Sequence, residues 1–269
     1  MLTDLEVSHF KVFGYVVVRG CVDREHVKRL QKAFDREIDN NPRVEQPSPG
    51  GTRSLHPFAE TDEAFTEVIE HPKLMEAMRD IDGIEFLYFG EDMNSYVGDT
   101  NWHCDFFPPH HESRPVKAIY YLDEMLAGDG ALDLIPGTNN PEFAGYIFRT
   151  FGSYGDDTGG PRLNMDHLDV PSVAIETTPG DVVLWENRMW HHATRRLDGK
   201  SRRMLAYSYF RDPMGNIVEE KYVRNHLNSR GSKSGRESIY SKTMMQNGGA
   251  ARENMASRLE ALGVTNVRG

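Results

Sequence analysis

The run Thr100-Asn101-Trp102-His103-Cys104-Asp105-Phe106 holds two residues with the types and spacing of metal ligands. His103 and Asp105 are two apart, and on an extended strand residues i and i+2 project to one face. An imidazole beside a carboxylate is two thirds of the 2-His-1-carboxylate facial set, which holds non-haem Fe(II) and leaves three positions open. The third ligand must be a distant histidine on a facing strand. Trp190-His191-His192-Ala193 offers two, and the basic pair Arg202-Arg203 follows. Neighbours on a strand face opposite ways, so His191 and His192 cannot both be ligands. Taken alone, His-x-Asp is more often a surface hydrogen bond or a satisfied core histidine; its weight comes from the parts that accompany it.

Those parts must be positioned by the rest of the chain. Thr3 caps a first helix to about Phe13, Gly14–Arg19 reads as a short buried strand, and Asp23 caps a second helix with Val27, Leu30, Phe34 and Ile38 at helical spacing. Residues 40–57, rich in Pro, Gly, Asn and Arg, predict a loop over the mouth of the site. Helices are expected at about 62–70 and 71–79, then strands at 84–90 and 93–98 leading to the motif, with Gly98-Asp99 as a turn. Further strands are predicted at 116–123, 130–135, 172–176, 182–185 and 202–210, with turns at Pro136-Gly137, Pro179-Gly180-Asp181 and Asp198-Gly199. Residues 139–170 read as irregular, and 152–170 as a lid or binding loop. The tail from about Gly231 is polar and Gly-rich and closes with an amphipathic helix at about 250–262. A helical N-terminal section followed by many short strands indicates a sandwich or barrel of antiparallel strands.

At 269 residues, with 38% hydrophobic and 27% charged residues, the chain has the length for a sizeable core and the composition of a globular protein. A net charge of -10 argues against non-specific nucleic-acid binding and against an anionic membrane surface. No apolar run approaches the roughly 20 residues that span a bilayer. The opening MLTDLEVSHF has no basic n-region or apolar h-region, and the two cysteines, Cys21 and Cys104, make no disulfide framework. The expectation is a cytoplasmic protein with a small-molecule substrate and neither nucleic-acid nor membrane partners.

Four ordered segments resemble the phytanoyl-CoA dioxygenase family, a branch of the Fe(II)/2-oxoglutarate oxygenases. Phe10-x-x-x-Gly14-Tyr-Val-Val-Val-Arg-Gly20 is similar to its opening strand, and Trp102-His103-Cys104-Asp105 to its first two ligands. Gly130-Ala-Leu-Asp-Leu-Ile-Pro-Gly-Thr138 is similar to its Gly-Ala-Leu…Ile-Pro-Gly-Ser-His segment. Gly180-Asp-Val-Val-Leu-Trp185…Trp190-His191…Arg202 is similar to the segment with the second histidine and the co-substrate arginine. The resemblance runs from about Phe10 to Phe210. It departs at Thr138-Asn139, where Ser-His is common, and at Leu132, where some relatives place a threonine that helps hold 2-oxoglutarate.

The resemblance implies an all-β core with flanking helices, a double-stranded β-helix of the jelly-roll, cupin-like kind. The whole chain, 1–269, is then one dioxygenase domain: a helical buttress at about 1–80, the jelly-roll core at about 84–212 and a C-terminal helical tail at about 231–269. It implies Fe(II) on His103, Asp105 and His191, 2-oxoglutarate as co-substrate, and O₂. Arg202, 202 − 191 = 11 residues after His191, is expected to hold the far carboxylate of 2-oxoglutarate as a planar bidentate donor. If His192 is the ligand, the same interval selects Arg203. Asn101, two before His103, is expected on the same inward face, in reach of 2-oxoglutarate; Trp102 and Cys104 should face away. Asp105 also separates this chain from related halogenases, which replace that carboxylate with a small residue.

Loop residues Phe107, His110, His111, Arg149, Tyr154 and Arg162 are candidate substrate contacts, and their character points to a polar or anionic small metabolite. The expected reaction is oxidation of an unactivated C–H, usually hydroxylation, with release of succinate and CO₂. Two alternatives belong to other classes: a cupin-type metal enzyme that needs no 2-oxoglutarate, and a non-catalytic small-molecule-binding jelly roll. Arg202 and the single carboxylate argue against the first, and the full set of four residues against the second.

Overall fold

The computed structural model describes residues 2–45, 51–105, 114–154, 160–165, 171–231 and 237–269. Thr3 caps α1 (Asp4–Phe13) by exchanging bonds with Glu6, and Gly14, at φ 86°, ends it in the left-handed region. β1 (Tyr15–Val18) follows, and Asp23 caps α2 (Arg24–Asn40), which buries Val27, Leu30, Phe34 and Ile38. Next come β2 (Arg53–Leu55), α3 (Glu63–Ile69) and α4 (Pro72–Asp82). The strand-rich half holds β3 (Phe86–Tyr96), β4 (Val116–Tyr121), β5 (Leu132–Leu134), α5 (Pro141–Phe151), β6 (Gly152–Tyr154) and β7 (Pro161–Leu163). It continues with β8 (Val173–Ile175), β9 (Val182–Glu186), β10 (His191–Ala193) and β11 (Arg202–Arg211). Helices α6 (Ile217–Gly231), α7 (Lys242–Gln246) and α8 (Ala250–Ala261) follow.

One antiparallel sheet runs β1-β9-β4-β11-β3-β2, a second runs β10-β5-β8, and β6-β7 is a separate hairpin. The period of two in the strands assigns each face. Ile119, Tyr121, Val183, Trp185, Met204 and Ala206 of the large sheet pack on Leu132, Leu134 and Ile175 of the small one. The two sheets therefore face each other as a double-stranded β-helix. The alternate residues, Ala118, Tyr120, Leu184, Leu205, Tyr207 and Tyr209, join α1–α4 and α8 in the largest buried cluster. Two of its phenols tie sheet to helix: Tyr207 donates to the Phe65 carbonyl at 3.0 Å and Tyr209 to that of Ile69 at 2.9 Å. Buried hydroxyls need such partners.

Four expectations are corrected. The strands predicted at 84–90 and 93–98 are one strand, β3; its ladder with β11 passes from Tyr88 to Gly90 across a bulge at Phe89, so the bulge shifts the register without ending the strand, and Gly90 pairs with Ser208. Residues 139–170 are not irregular throughout: Asn140 caps α5, Pro141 opens it, and β6 and β7 pair behind it. The rest of the predicted lid, 155–159 and 166–170, lies outside the described residues. The loop predicted at 40–57 contains β2, paired with β3. Finally, the C-terminal tail is not merely polar: Ile239, Tyr240, Met244, Met255, Leu259 and Val267 complete the helix-side core, and Tyr240 donates to the Tyr88 carbonyl. No described helix is long and apolar enough to cross a membrane.

Candidate metal centre

The motif is a short irregular segment laid antiparallel along residues 187–193. Asp105 N–H donates to Asn187 O at 3.1 Å, His103 bridges His191, and Thr100 N–H donates to Ala193 O at 2.9 Å. That pairing sets the faces. Trp102 and Cys104 enter a buried cluster with Ile135, Ala144, Ile147 and Trp190, while His103 and Asp105 turn the opposite way into a cavity of about 340 Å³ between the two sheets. His191 opens on the same cavity. Ligand atoms of His103, Asp105 and His191 all lie within 4.8 Å of one another, the one grouping of its kind among the described residues. Asp105 Oδ1 is 3.8 Å from His103 Nε2 and 3.9 Å from His191 Nε2.

The histidines are prepared as ligands. His103 Nδ1 lies 2.7 Å from Asn101 O and His191 Nδ1 lies 2.9 Å from Met189 O. A carbonyl only accepts, so Nδ1 carries the proton, and Nε2 turns its lone pair toward Asp105. Burial keeps both rings neutral: it lowers His103 below its ordinary value and brings His191, with His103 beside it, down to about 3. Burial disfavours charge on Asp105 too, but Lys117, then His191 and His103, outweigh it and hold its carboxyl well below the usual range. Two imidazoles and one carboxylate on one side of a cavity fit a divalent transition metal with its other positions open.

Arg202 faces the same cavity from β11. It is 1% exposed, donates to the carbonyls of Thr194 and Gly98, and lies 5.6 Å from the centroid of the Tyr96 ring. Burial lowers its ordinary value, and no carboxylate pairs with it among the described residues. Arg203 turns to the helix side, where Asp123 and Asp35 take it at 2.6 and 3.0 Å. His192 likewise faces away, against Asp133 at 3.4 Å and the Trp102 ring at 4.2 Å. The pair directed at the cavity is therefore His191 and Arg202.

Over residues 10–204 the sequence matches the family described as Phytanoyl-CoA dioxygenase (PhyH). The chain belongs to the phytanoyl-CoA dioxygenase family. This family is Fe(II)- and 2-oxoglutarate-dependent and uses O₂. No curated protein matches the sequence. Among solved structures, the fold is similar to the epimerase SnoN in complex with Fe³⁺, α-ketoglutarate and nogalamycin RO, with 15% identity, TM-score 0.62, and 78% of this chain and 83% of that one covered. It is also similar to EctD from S. alaskensis with 2-oxoglutarate and 5-hydroxyectoine, at 18% identity and TM-score 0.59 over 78% of this chain and 76% of that one. HygX from Streptomyces hygroscopicus, with nickel and 2-oxoglutarate bound, shows 18% identity and TM-score 0.58 over 78% and 87%.

Within this phytanoyl-CoA dioxygenase fold, several predicted site residues fall elsewhere. The strand geometry assumed for Asn101 does not extend that far. Its exposed side chain borders neighbouring surface depressions, and it is its carbonyl that serves the centre, through His103. Tyr154 and Arg162 line one of those depressions, on the β6-β7 hairpin, and Arg149 is exposed on the last turn of α5. Phe107, His110 and His111 lie outside the described residues. The cavity wall is instead built by Ser54, His56, Asp92, Asn94, Tyr96 and Lys117, which sequence reasoning missed. A signal existed for Lys117: it shares the period-two face of Ile119 and Tyr121 in a strand otherwise apolar or aromatic.

Proposed function

We propose that this protein is an Fe(II)/2-oxoglutarate-dependent oxygenase that oxidises a C–H of a small, polar molecule, most simply by hydroxylation. His103, Asp105 and His191 hold the iron, and Arg202 pairs with the far carboxylate of 2-oxoglutarate. The reading rests on Arg202: a buried cation without a carboxylate partner among the described residues, open to the same cavity as the three ligand side chains. A buried charge of this kind calls for an anionic ligand, and a guanidinium suits a carboxylate.

Bound iron, with 2-oxoglutarate and O₂, supplies the oxidation of a C–H and releases succinate and CO₂. The chain's own residues orient and exclude. The Thr194 and Gly98 carbonyls and the Tyr96 ring fix the Arg202 fork. Tyr96 and Tyr121, pushed up to about 12 by burial, stay protonated beside it. Ile119, Leu132, Trp185 and Met204 give the cavity apolar walls that keep water from the reacting carbon. Ser54, His56, Asp92 and Asn94 add polar groups to the cavity wall and favour a polar substrate of modest size, because the cavity must also take 2-oxoglutarate.

The test is a panel of polar metabolites offered to Fe(II)-loaded protein with 2-oxoglutarate, reading substrate-stimulated succinate and the oxidised product. The expected result is stoichiometric succinate and product with at least one small polar compound, abolished in Asp105→Ala. Failure of the wild-type protein to bind 2-oxoglutarate in the presence of metal would overturn the reading.

A further inference from the structure

Lys117 lies on the inward face of β4, opposite Ser208 of β11 and Trp185 of β9. Its side chain is 11% exposed, and its ammonium contacts two carboxylates: Asp105 Oδ2 at 2.7 Å and Asp92 Oδ2 at 3.3 Å. Lysine is seldom buried so deeply unless paired, because desolvating an ammonium costs several kcal/mol, on the order of what a good ion pair returns.

The two oxygens of Asp105 have separate partners. Oδ1 faces the two histidine Nε2 atoms, and Oδ2 faces Lys117. A carboxylate can bind a metal through one oxygen or both. In a facial set the distinction matters, since a second oxygen on the metal takes a position that a chelating co-substrate or O₂ must use. Resting on the metal reading above, we propose that Lys117 is a positioning residue that reserves Oδ2 and so keeps Asp105 a one-oxygen ligand.

Asp92 is the second, longer partner. It sits four residues before Tyr96 on β3, contacts the ammonium at 3.3 Å, and meets His56 at 3.3 Å. Lys117 therefore spans from the ligand carboxylate to the wall where substrate groups are received. Removing Asp92 leaves the 2.7 Å contact to Asp105 in place, which makes it the control position.

Lys117→Met, Lys117→Gln and Asp92→Asn test the assignment with Co(II) as a spectroscopic stand-in for iron, because its visible bands respond to the identity and geometry of its ligands. Wild-type protein should bind one Co(II) per chain and then 2-oxoglutarate. Lys117→Met should still bind Co(II), with visible bands altered from the wild type's by a two-oxygen Asp105 that displaces an exchangeable ligand, and should bind 2-oxoglutarate about 10- to 100-fold more weakly. Asp92→Asn should keep the wild-type spectrum. Lys117→Gln, which retains one donor for Oδ2, should fall between, and it carries the test if the methionine variant does not fold. A lysine serving only as a structural ion pair predicts a lower melting temperature with unchanged spectrum and 2-oxoglutarate affinity in both lysine variants; that result overturns the assignment and leaves the metal centre standing. If wild-type protein takes up no Co(II), the metal reading fails and this assignment fails with it.

Discussion

His103 and His191, 88 residues apart in sequence, exchange both of their backbone hydrogen bonds: His103 N–H to His191 O at 3.0 Å and His191 N–H to His103 O at 2.9 Å. Directly opposed residues of an antiparallel pair point to the same face, and the two rings come to 4.2 Å between centroids. The chelating geometry thus belongs to a backbone pairing and not to the side chains alone.

His191→Ala is expected to abolish stoichiometric iron binding while the far-ultraviolet circular dichroism stays that of the wild type, since the backbone pair survives. His192→Ala should keep iron. Its cost is in stability, from lost contact with Trp102 and Asp133. Iron analysis of the two purified variants decides this, and iron retained by His191→Ala would contradict the assignment.

Arg202→Ala should retain iron yet bind 2-oxoglutarate more weakly by roughly 2–5 kcal/mol, the loss for one member of a buried charge pair. Arg203→Ala should leave that affinity alone, because its partners are Asp123 and Asp35 across the sheet; its pairs, partly exposed, contribute about 1 kcal/mol or less each. Anaerobic titration with 2-oxoglutarate separates the two.

Gly130 offers a second route to Arg202. It sits at φ 88°, and a Cβ there would lie 3.0 Å from Arg196 Cγ, 3.0 Å from Met125 Sδ and 3.4 Å from Arg202 Cδ. Gly130→Ala should destabilise the fold by about 1–2 kcal/mol through left-handed backbone strain. It should also raise the KM for 2-oxoglutarate and leave metal affinity unchanged. Chemical denaturation and steady-state kinetics read the two effects independently.

His56 gives a pH dependence. Burial disfavours its charge, but the hydrogen bond to Asp92, with that residue's charge, outweighs burial and raises His56 above its ordinary value. The folded state therefore holds the proton more tightly than the unfolded chain. The resulting stabilisation is fully present below about pH 6.5 and is lost as pH rises through the folded value. The stability gap between wild type and His56→Gln should be wider at mildly acid pH than under alkaline conditions. A gap that widens as pH rises would reverse the sign.

Much of this was legible because a strand packed between two apolar clusters is buried on both faces and reads as a near-continuous apolar or aromatic run bounded by turn residues. Val116–Tyr121 and Val182–Glu186 are buried throughout and Arg202–Arg211 nearly so, and each contributes side chains to the cavity. The choice between His191 and His192 was not legible, since adjacent residues differ only in face and the face is set by the register His191↔Leu134. Asn101 was misplaced because a two-residue rule was carried past the point where the segment stops being extended. Asn140-Pro141 was a helix start in plain view, but α5 leaves Phe143, Tyr146 and Phe151 well exposed, which blurs the amphipathic pattern that would have supported it. Lys117 was passed over because a strand lysine ordinarily marks a solvent face. Its partners lie 12 residues back and 25 residues back in the chain, at Asp105 and Asp92.

The pairing of β1 with β9 sets a timetable for synthesis. Val18 meets Val182, 164 residues later. At translation speeds of about 5–20 residues per second, the Tyr15–Val18 strand emerges roughly ten to thirty seconds before its partner exists. For that interval an apolar β-forming segment has no ladder to join, although α1 and α2 on either side of it can form locally. Nascent chains of this protein should be most dependent on chaperones, and most prone to aggregate, when the ribosome stalls between α2 and β9.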